Sequence, residues 1–199
     1  AARNRPEFLG ACLALLAGDH TIRMVYPFQS DESLAAAIAA RGGAAVIAAP
    51  EDLGPACRAM AKRDGLALIA LDAGGAIMVE ALRDPDRNRT DKPPAIEILT
   101  SGTTGPPKSF TLSYTMLEAH YLPPAHAATA TAALTLPGIL YFPLGNISGI
   151  YSTLPVLMGL QRAVLLERFS LDGWLDYVAR HKPQRTGLPP SFVKQLLDS

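Results

Sequence analysis

The nine residues TSGTTGPPK, from Thr100 to Lys108, combine side chains and backbone that suit the binding of an anion. The two glycines can adopt positive φ values, which let backbone N–H groups converge on a negative charge. Four hydroxyl groups add donors, two prolines stiffen the stretch, and one lysine supplies a cation at its end. This loop is therefore a candidate phosphate-binding loop, although a shorter Gly/Ser/Thr loop is more often a plain hairpin turn.

The stretch does not follow the common GxxxxGK[ST] phosphate pattern. Counted from Gly102, the glycine that should precede the lysine is replaced by Pro107. The residues after Lys108 alternate between polar and apolar, which predicts a strand where that pattern requires a helix. A kinase or ATPase of that type is therefore disfavoured.

Strands and helices alternate along the chain on both sides of a polar segment. This alternation predicts an α/β fold with helices packed on mainly parallel sheets, and it predicts that the first three strands share one parallel sheet. Charged and proline residues dominate residues 83–94. We expect a first α/β subdomain at residues 1–82, a connecting loop at residues 83–94, and a second α/β subdomain at residues 95–199. An ordinary surface loop inside one domain explains residues 83–94 equally well.

The composition indicates a globular protein without a broad surface charge. Hydrophobic residues make up 49% of the 199 residues, and 18 basic side chains balance 18 acidic ones, which disfavours nucleic acid as a partner. No run of eighteen apolar residues and no signal-peptide pattern is present, so we expect no membrane span and no secretion. Cys12 and Cys57 lack a CxxC or histidine partner, which predicts inert thiols in a reduced, cytoplasmic protein.

The string TSGTTGPPK resembles the phosphate-binding signature of the adenylate-forming superfamily, which includes acyl-CoA and aryl-CoA synthetases, luciferases and nonribosomal-peptide adenylation domains. Other segments resemble this family in the expected order. RNRPEFLGACLALLAG and SDESLAAAI resemble its early helices, and the segment from YFPLGNISG to GLPPSFVKQLL resembles a PL-aromatic-His-x-x-G motif followed by a buried helix, a strand and a VPP-type helix start. The resemblance implies part of the large N-terminal domain of an adenylate-forming enzyme.

The resemblance implies an ATP-dependent acid–thiol ligase of the acyl-CoA synthetase type. A carboxylic acid attacks the α-phosphorus of Mg-ATP to form an acyl-adenylate, and a thiol, expected to be that of coenzyme A, then takes the acyl group. Lys108 is the implied catalytic residue beside the phosphates, and Mg²⁺ is assigned to Thr104 or to its neighbour Thr103. The implied nucleotide-binding residues are Thr100, Ser101, Gly102, Thr103, Thr104, Gly105 and Lys108.

The PLGNISG motif is the implied acid-binding end of the site, with Gly145, Asn146, Ser148 and Gly149 as its substrate-binding residues. Gly145 and Asn146 stand where many acyl-CoA synthetases have an aromatic residue and a histidine. Asn146 can hydrogen-bond a carboxylate but cannot carry a positive charge. The alternative is that both residues only form a turn after a strand at 139–142.

The family's later elements do not occur in this sequence: the adenine motif, the ribose-binding aspartate and the C-terminal domain with its lysine. We therefore expect a catalytically incomplete fragment, cut at both ends, whose partners are a nucleotide, a small carboxylic acid and the C-terminal domain of the same chain. A nonribosomal-type adenylation domain is one alternative. A non-catalytic nucleotide- or acyl-binding module is another.

Overall fold

The computed structural model describes residues 1–80, 93–100, 108–121, 136–159, 161–183 and 186–198. Helices and strands are interspersed along these residues, and four strands follow one another between the third and fourth helices. The helices are α1 (Pro6–Ala17), α2 (Asp31–Arg41), α3 (Pro55–Asp64), α4 (Tyr114–Tyr121), α5 (Ile147–Met158), α6 (Leu171–His181) and α7 (Pro190–Leu197), with a 3₁₀ turn at Pro50–Asp52. The strands are β1 (Ile22–Arg23), β2 (Ala45–Ala48), β3 (Ala67–Asp72), β4 (Gly75–Glu80), β5 (Ala95–Thr100), β6 (Lys108–Ser113), β7 (Gly138–Leu140) and β8 (Ala163–Leu165).

Each sheet in the described residues contains one parallel pair of strands. β1 pairs in parallel with β5, β2 with β3, and β7 with β8, whereas β4 and β6 are antiparallel to β3 and β5. The predicted α/β class with mainly parallel sheets is confirmed. The expectation that the first three strands share one sheet is wrong, because β1 hydrogen-bonds to β5 instead of β2, and Met24 N–H extends that pair to the Glu97 carbonyl at 2.8 Å.

Local sequence signals set several helix ends. Ser30 and Ser170 lie just before α2 and α6, and each side chain accepts a hydrogen bond from the backbone N–H three residues later. These N-caps satisfy donors that the first helical turn leaves unpaired. α3 ends at Gly65, whose φ of 67° is left-handed and favours glycine. Ser113 caps α4 in the same way, since its Oγ accepts a hydrogen bond from Met116 N–H.

Two clusters of buried apolar side chains form the core. One cluster packs α2 and α3 against β2 and β3. The other joins Phe8 and Ile22 to Ile98, Leu112 and Ile150, so it draws residues from both sides of segment 83–94. Most of that segment, residues 81–92, lies outside the described residues, and the division into two subdomains stays a prediction.

The two cysteines are unpaired, as predicted: Cys57 is buried and Cys12 is half-buried. In the part of the chain that the structure describes, none of the helices has the length and apolar character needed to cross a bilayer.

Candidate functional site

The β5–β6 hairpin holds both ends of the candidate phosphate loop. Its register places Thr100, the last residue of β5, directly opposite Lys108, the first residue of β6. Ile98 and Leu112 are almost fully buried and anchor the two strands in the core. Residues 101–107, which contain the predicted nucleotide-binding residues Ser101, Gly102, Thr103, Thr104 and Gly105, lie outside the described residues, as does the side chain of Thr100.

The PLGNISG motif lies close to the segment that follows β1. β1 and β5 are parallel with Ile22 opposite Ile96, and the hydrogen bond from Met24 N–H to the Glu97 carbonyl continues this pairing past β1. A Cβ atom on Gly145 would lie 3.5 Å from the Val25 carbonyl oxygen and 3.7 Å from Tyr26 N. Gly145 therefore packs beside the chain just past the carboxyl end of β1, the parallel neighbour of β5. Open α/β sheets bind ligands at the carboxyl ends of their strands.

Asn146 and Gly149 together start helix α5. Asn146 is the N-cap, and its Oδ1 accepts from the N–H of Gly149 at 2.8 Å. A Cβ atom on Gly149 would lie 1.9 Å from the Pro143 carbonyl oxygen, so this position requires glycine. Ser148 is exposed in the first turn of α5. The turn interpretation of Asn146 is thus correct for Oδ1, and its amide nitrogen Nδ2 is the atom that can donate to a ligand.

Three polar residues before α1 connect the carboxyl ends of several strands, and sequence reasoning did not assign them a role. Asn4 is buried, and its side chain hydrogen-bonds the backbone at Phe142, Leu144 and Leu166. These backbone groups follow β7 and β8, whose parallel pairing continues from Leu166 N–H to the Leu140 carbonyl at 2.8 Å. The available signal was a run of polar residues, RNR, in front of a largely apolar helix.

Arg3 and Arg5 form an ion-pair cluster with three acidic residues at this edge. Arg3 makes a bidentate pair with the buried Asp52, at 2.8 and 2.6 Å, and also contacts Glu167 at 2.7 Å. Arg5 contacts Glu167 at 2.8 Å and pairs with Glu51. The hydrogen bonds that Arg3 donates to Asp52 outweigh the effect of burial and raise the pKa of Arg3 above its usual value. Burial alone would raise the pKa of Glu167, but hydrogen bonds from Arg3 and Arg5 lower it. Arg3 and Glu167 are therefore held in their charged forms near neutral pH.

Phe28, which follows β1, lies under two guanidinium groups. The central guanidinium carbon of Arg3 is 4.8 Å from the ring centroid, and that of Arg168 is 4.3 Å from it. Cation–π contacts of this kind stabilise both partners. They connect the segment after β1 with the segment after β8 at the same edge.

The described residues offer no ready-made metal site: no group of three or more His, Cys, Asp or Glu side chains there could hold an ion. The Mg²⁺ ligand expected at Thr104 or Thr103 lies outside the described residues. A magnesium ion that is bound through nucleotide phosphates and one hydroxyl does not require such a group.

Comparisons with known proteins cover the whole chain. A family model described as AMP-binding enzyme matches residues 1–199. Nicotinic acid-CoA ligase pyr1 of Aspergillus fumigatus is 28% identical over 119 residues, which are 59% of this chain and 20% of that protein.

Two solved structures resemble the fold at low sequence identity. Apo MatB from Rhodopseudomonas palustris superposes with a TM-score of 0.67 and 20% identity, over 100% of this chain and 40% of that protein. o-Succinylbenzoate CoA synthetase (MenE) from Bacillus subtilis, in complex with the acyl-adenylate intermediate OSB-AMP, superposes with a TM-score of 0.65 and 18% identity, over 99% of this chain and 50% of that protein. The chain thus spans half or less of the length of these relatives.

Proposed function

This chain belongs to the AMP-binding enzyme family, which confirms the predicted adenylate-forming relationship, and we propose that it carries the phosphate loop and part of the acid pocket of an ATP-dependent acid–thiol ligase. The observation that carries the proposal is the hairpin register, which places the two ends of TSGTTGPPK opposite each other at the end of β5. Gly145 of the PLGNISG motif packs on the backbone that follows β1, the parallel neighbour of β5. The ligase names of the relatives support the same reaction class.

In the proposed first step, a carboxylate oxygen of the acid attacks the α-phosphorus of ATP. The bond from that phosphorus to the bridging oxygen breaks, and pyrophosphate leaves with the electron pair. Negative charge grows on the leaving group, so preorganised N–H and O–H donors and a nearby lysine lower the barrier. Residues 101–105 would supply the donors, Lys108 the positive charge, and Thr104 a ligand for the Mg²⁺ that accompanies ATP.

At the acid end, we assign the carboxylate to the surface formed by Gly145, Asn146, Ser148 and Gly149. Because Oδ1 of Asn146 caps α5, Nδ2 is the donor that this side chain offers. A neutral amide orients a carboxylate without forming the ion pair that a cationic residue would form, which leaves the oxygen nucleophilic. The contact of Gly145 with the Val25 backbone holds this surface beside the end of β1, the parallel neighbour of β5.

In the proposed second step, the sulfur of coenzyme A attacks the acyl carbon of the adenylate. AMP leaves with the bonding electrons, and the thiol proton passes to solvent.

Two unpaired cysteines support the proposal of a reducing, cytoplasmic compartment. Within the protein, we retain residues 1–82 and 95–199 as the proposed subdomains.

The test is ATP–pyrophosphate exchange by the full-length protein that contains this sequence, with aliphatic, aryl and amino acids supplied in turn. Exchange should depend on one class of acid. Lys108→Ala should lower its maximal rate by about 100-fold or more, because a cation beside the phosphates is lost. Lys108→Arg should retain part of the rate. Lys62→Ala, an exposed lysine in the last turn of α3, is the matched control and should change nothing.

Two results would contradict this proposal. Wild-type protein that binds ATP but exchanges pyrophosphate with no acid would indicate a binding module. Exchange that is equally fast in Lys108→Ala would remove Lys108 from the reaction.

A further inference from the structure

The side chain of Asn4 uses both of its amide groups on backbone atoms far away in sequence. Nδ2 donates to the carbonyl oxygens of Phe142 and Leu166 at 2.9 and 3.3 Å, and Oδ1 accepts from the N–H of Leu144 at 3.1 Å. The residue is only 4% exposed. Asn4 therefore fixes the chain between β7 and α5 against the end of β8.

The same short segment is held from its other side by the start of α5. Asn146 N–H donates to the Pro143 carbonyl at 3.1 Å, and Gly149 packs against that carbonyl so closely that no side chain fits. The backbone of Pro143 and Leu144 thus lies between Asn4 and the first turn of α5. A displacement of this backbone must therefore move Asn146.

An asparagine is chemically well suited to this position. Two carbonyl oxygens need donors and one N–H needs an acceptor, and a carboxamide presents both kinds of group in one plane. An aspartate would turn a carboxylate oxygen toward the carbonyls of Phe142 and Leu166, and alanine would leave three backbone groups without this partner. A buried backbone group that lacks a hydrogen-bond partner lowers the stability of the folded protein.

The neighbours of Asn4 fix its own position. Arg3 and Arg5 flank it in sequence and bind Asp52 and Glu167, which follow β2 and β8. Charge-assisted and bidentate pairs of this kind are geometrically specific. Asn4 is thus attached to the sheet edge on both sides, which a positioning residue requires.

We propose that Asn4 is a positioning residue for the acid-binding end of the site, acting through the Phe142–Leu144 backbone on Asn146. This inference rests on the proposed function, because it assigns Asn146 to the acid. It predicts that Asn4 affects binding of the acid more than binding of the nucleotide. Within the described residues, the hydrogen bonds of the Asn4 side chain go to Phe142, Leu144 and Leu166. The proposed nucleotide-binding residues 101–105 instead connect β5 to β6.

The experiment compares Asn4→Ala and the milder Asn4→Ser with wild type in the full-length protein. The matched control is Tyr177→Phe, which removes another buried hydrogen bond, from the Tyr177 hydroxyl to the Pro137 carbonyl at 2.7 Å. The kinetic readout is the KM for the acid and the KM for ATP in pyrophosphate exchange. Amide hydrogen exchange of residues 142–149 provides a second readout that does not depend on activity.

Both Asn4 variants should raise the KM for the acid by about tenfold or more, since ångström-scale misplacement of a binding group costs up to about 100-fold. The KM for ATP should change less than about threefold. The backbone amides of residues 142–149 should exchange hydrogen faster in the Asn4 variants than in Tyr177→Phe. Either of two results would overturn this inference without affecting the proposed function. One is an unchanged KM for the acid in folded Asn4→Ser. The other is equal amide hydrogen exchange of residues 142–149 in both Asn4 variants and in Tyr177→Phe. A wild type without acid-dependent exchange would overturn the proposed function, and the inference with it.

Discussion

Replacing glycine by alanine at two helical positions should have opposite effects on this protein. Gly10 lies in the interior of α1 and is exposed, and a Cβ atom added there would meet nothing within 4 Å. Gly149 lies in the first turn of α5, where the same atom would be 1.9 Å from the Pro143 carbonyl oxygen and 2.5 Å from its carbonyl carbon. The chemical change is the same, and only the surroundings differ.

The expected magnitudes follow from those surroundings. In an open helical position, alanine is favoured over glycine by about 1 kcal/mol, so Gly10→Ala should stabilise the protein. At Gly149, ordinary contact begins near 3.4 Å, so backbone must move by about 1.5 Å, and overpacking of this kind costs about 1–3 kcal/mol. The movement also weakens the Asn146 cap, which contributes about 1 kcal/mol. Gly149→Ala should therefore destabilise the protein by about 1–3 kcal/mol after its gain in helix propensity.

The assay is thermal unfolding of the two variants beside wild type, followed by the KM for the acid in pyrophosphate exchange. Gly10→Ala should raise the melting temperature and leave the acid KM unchanged, whereas Gly149→Ala should lower the melting temperature and raise the acid KM. A Gly149→Ala variant as stable as wild type would refute the close packing of α5 on Pro143. A destabilised variant with normal acid KM would separate that packing from the acid site.

Three further results are expected. Burial alone would raise the pKa of Asp31, but backbone hydrogen bonds at the start of α3 hold it below its usual 3.8. The stabilisation from these bonds is complete above that pH and is lost as the pH falls below it. The free energy of unfolding of Asp31→Asn should therefore fall less steeply with decreasing pH than that of wild type. Burial raises the pKa of the Cys12 thiol to about 11 and that of Cys57 to about 12, so iodoacetamide at pH 8 should label neither in native protein, and rapid labelling would contradict their inert character. Asn146→Asp keeps the acceptor for Gly149 N–H but replaces Nδ2 by a charged oxygen. Its melting temperature should equal that of wild type, while the KM for the acid should rise at least about tenfold. An unchanged KM for the acid would exclude the donor role of Nδ2.

Features with local causes were predictable from the sequence. Ser30 and Ser170 are small hydroxyl residues in front of helical periodicity, and both cap as such residues do. The strand character of KSFTL followed from its alternation, and β6 covers Lys108–Ser113. Lys108 could thus be placed at the start of a strand before any tertiary contact was known.

The choice of strand partners was not predictable in the same way. β1 and β2 are separated in the sequence by a helix, as two neighbouring strands of one parallel sheet would be. β1 nevertheless pairs with β5, which lies more than seventy residues later in the chain. Alternation defines which residues form a strand, whereas pairing depends on which edges meet in the folded core. The hydrogen bonds of Asn4 have the same long-range character, because its partners lie beyond residue 140. A polar residue in front of a helix carries no local signal of such a role.

The candidate site is built from strand registers more than from side chains that contact one another directly. The β1–β5 register places Ile22 opposite Ile96, and the β5–β6 register places Lys108 opposite Thr100. Gly145 packs on the backbone at Val25, just past β1, while Asn4 holds the preceding segment at the end of β8. A one-residue slip of β1 against β5 would therefore displace the proposed acid-binding surface relative to Thr100 by about 3.3 Å, even with every site residue retained. For that reason, variants that shift backbone, such as Gly149→Ala, should impair acid binding more than removal of an exposed polar side chain at the same edge.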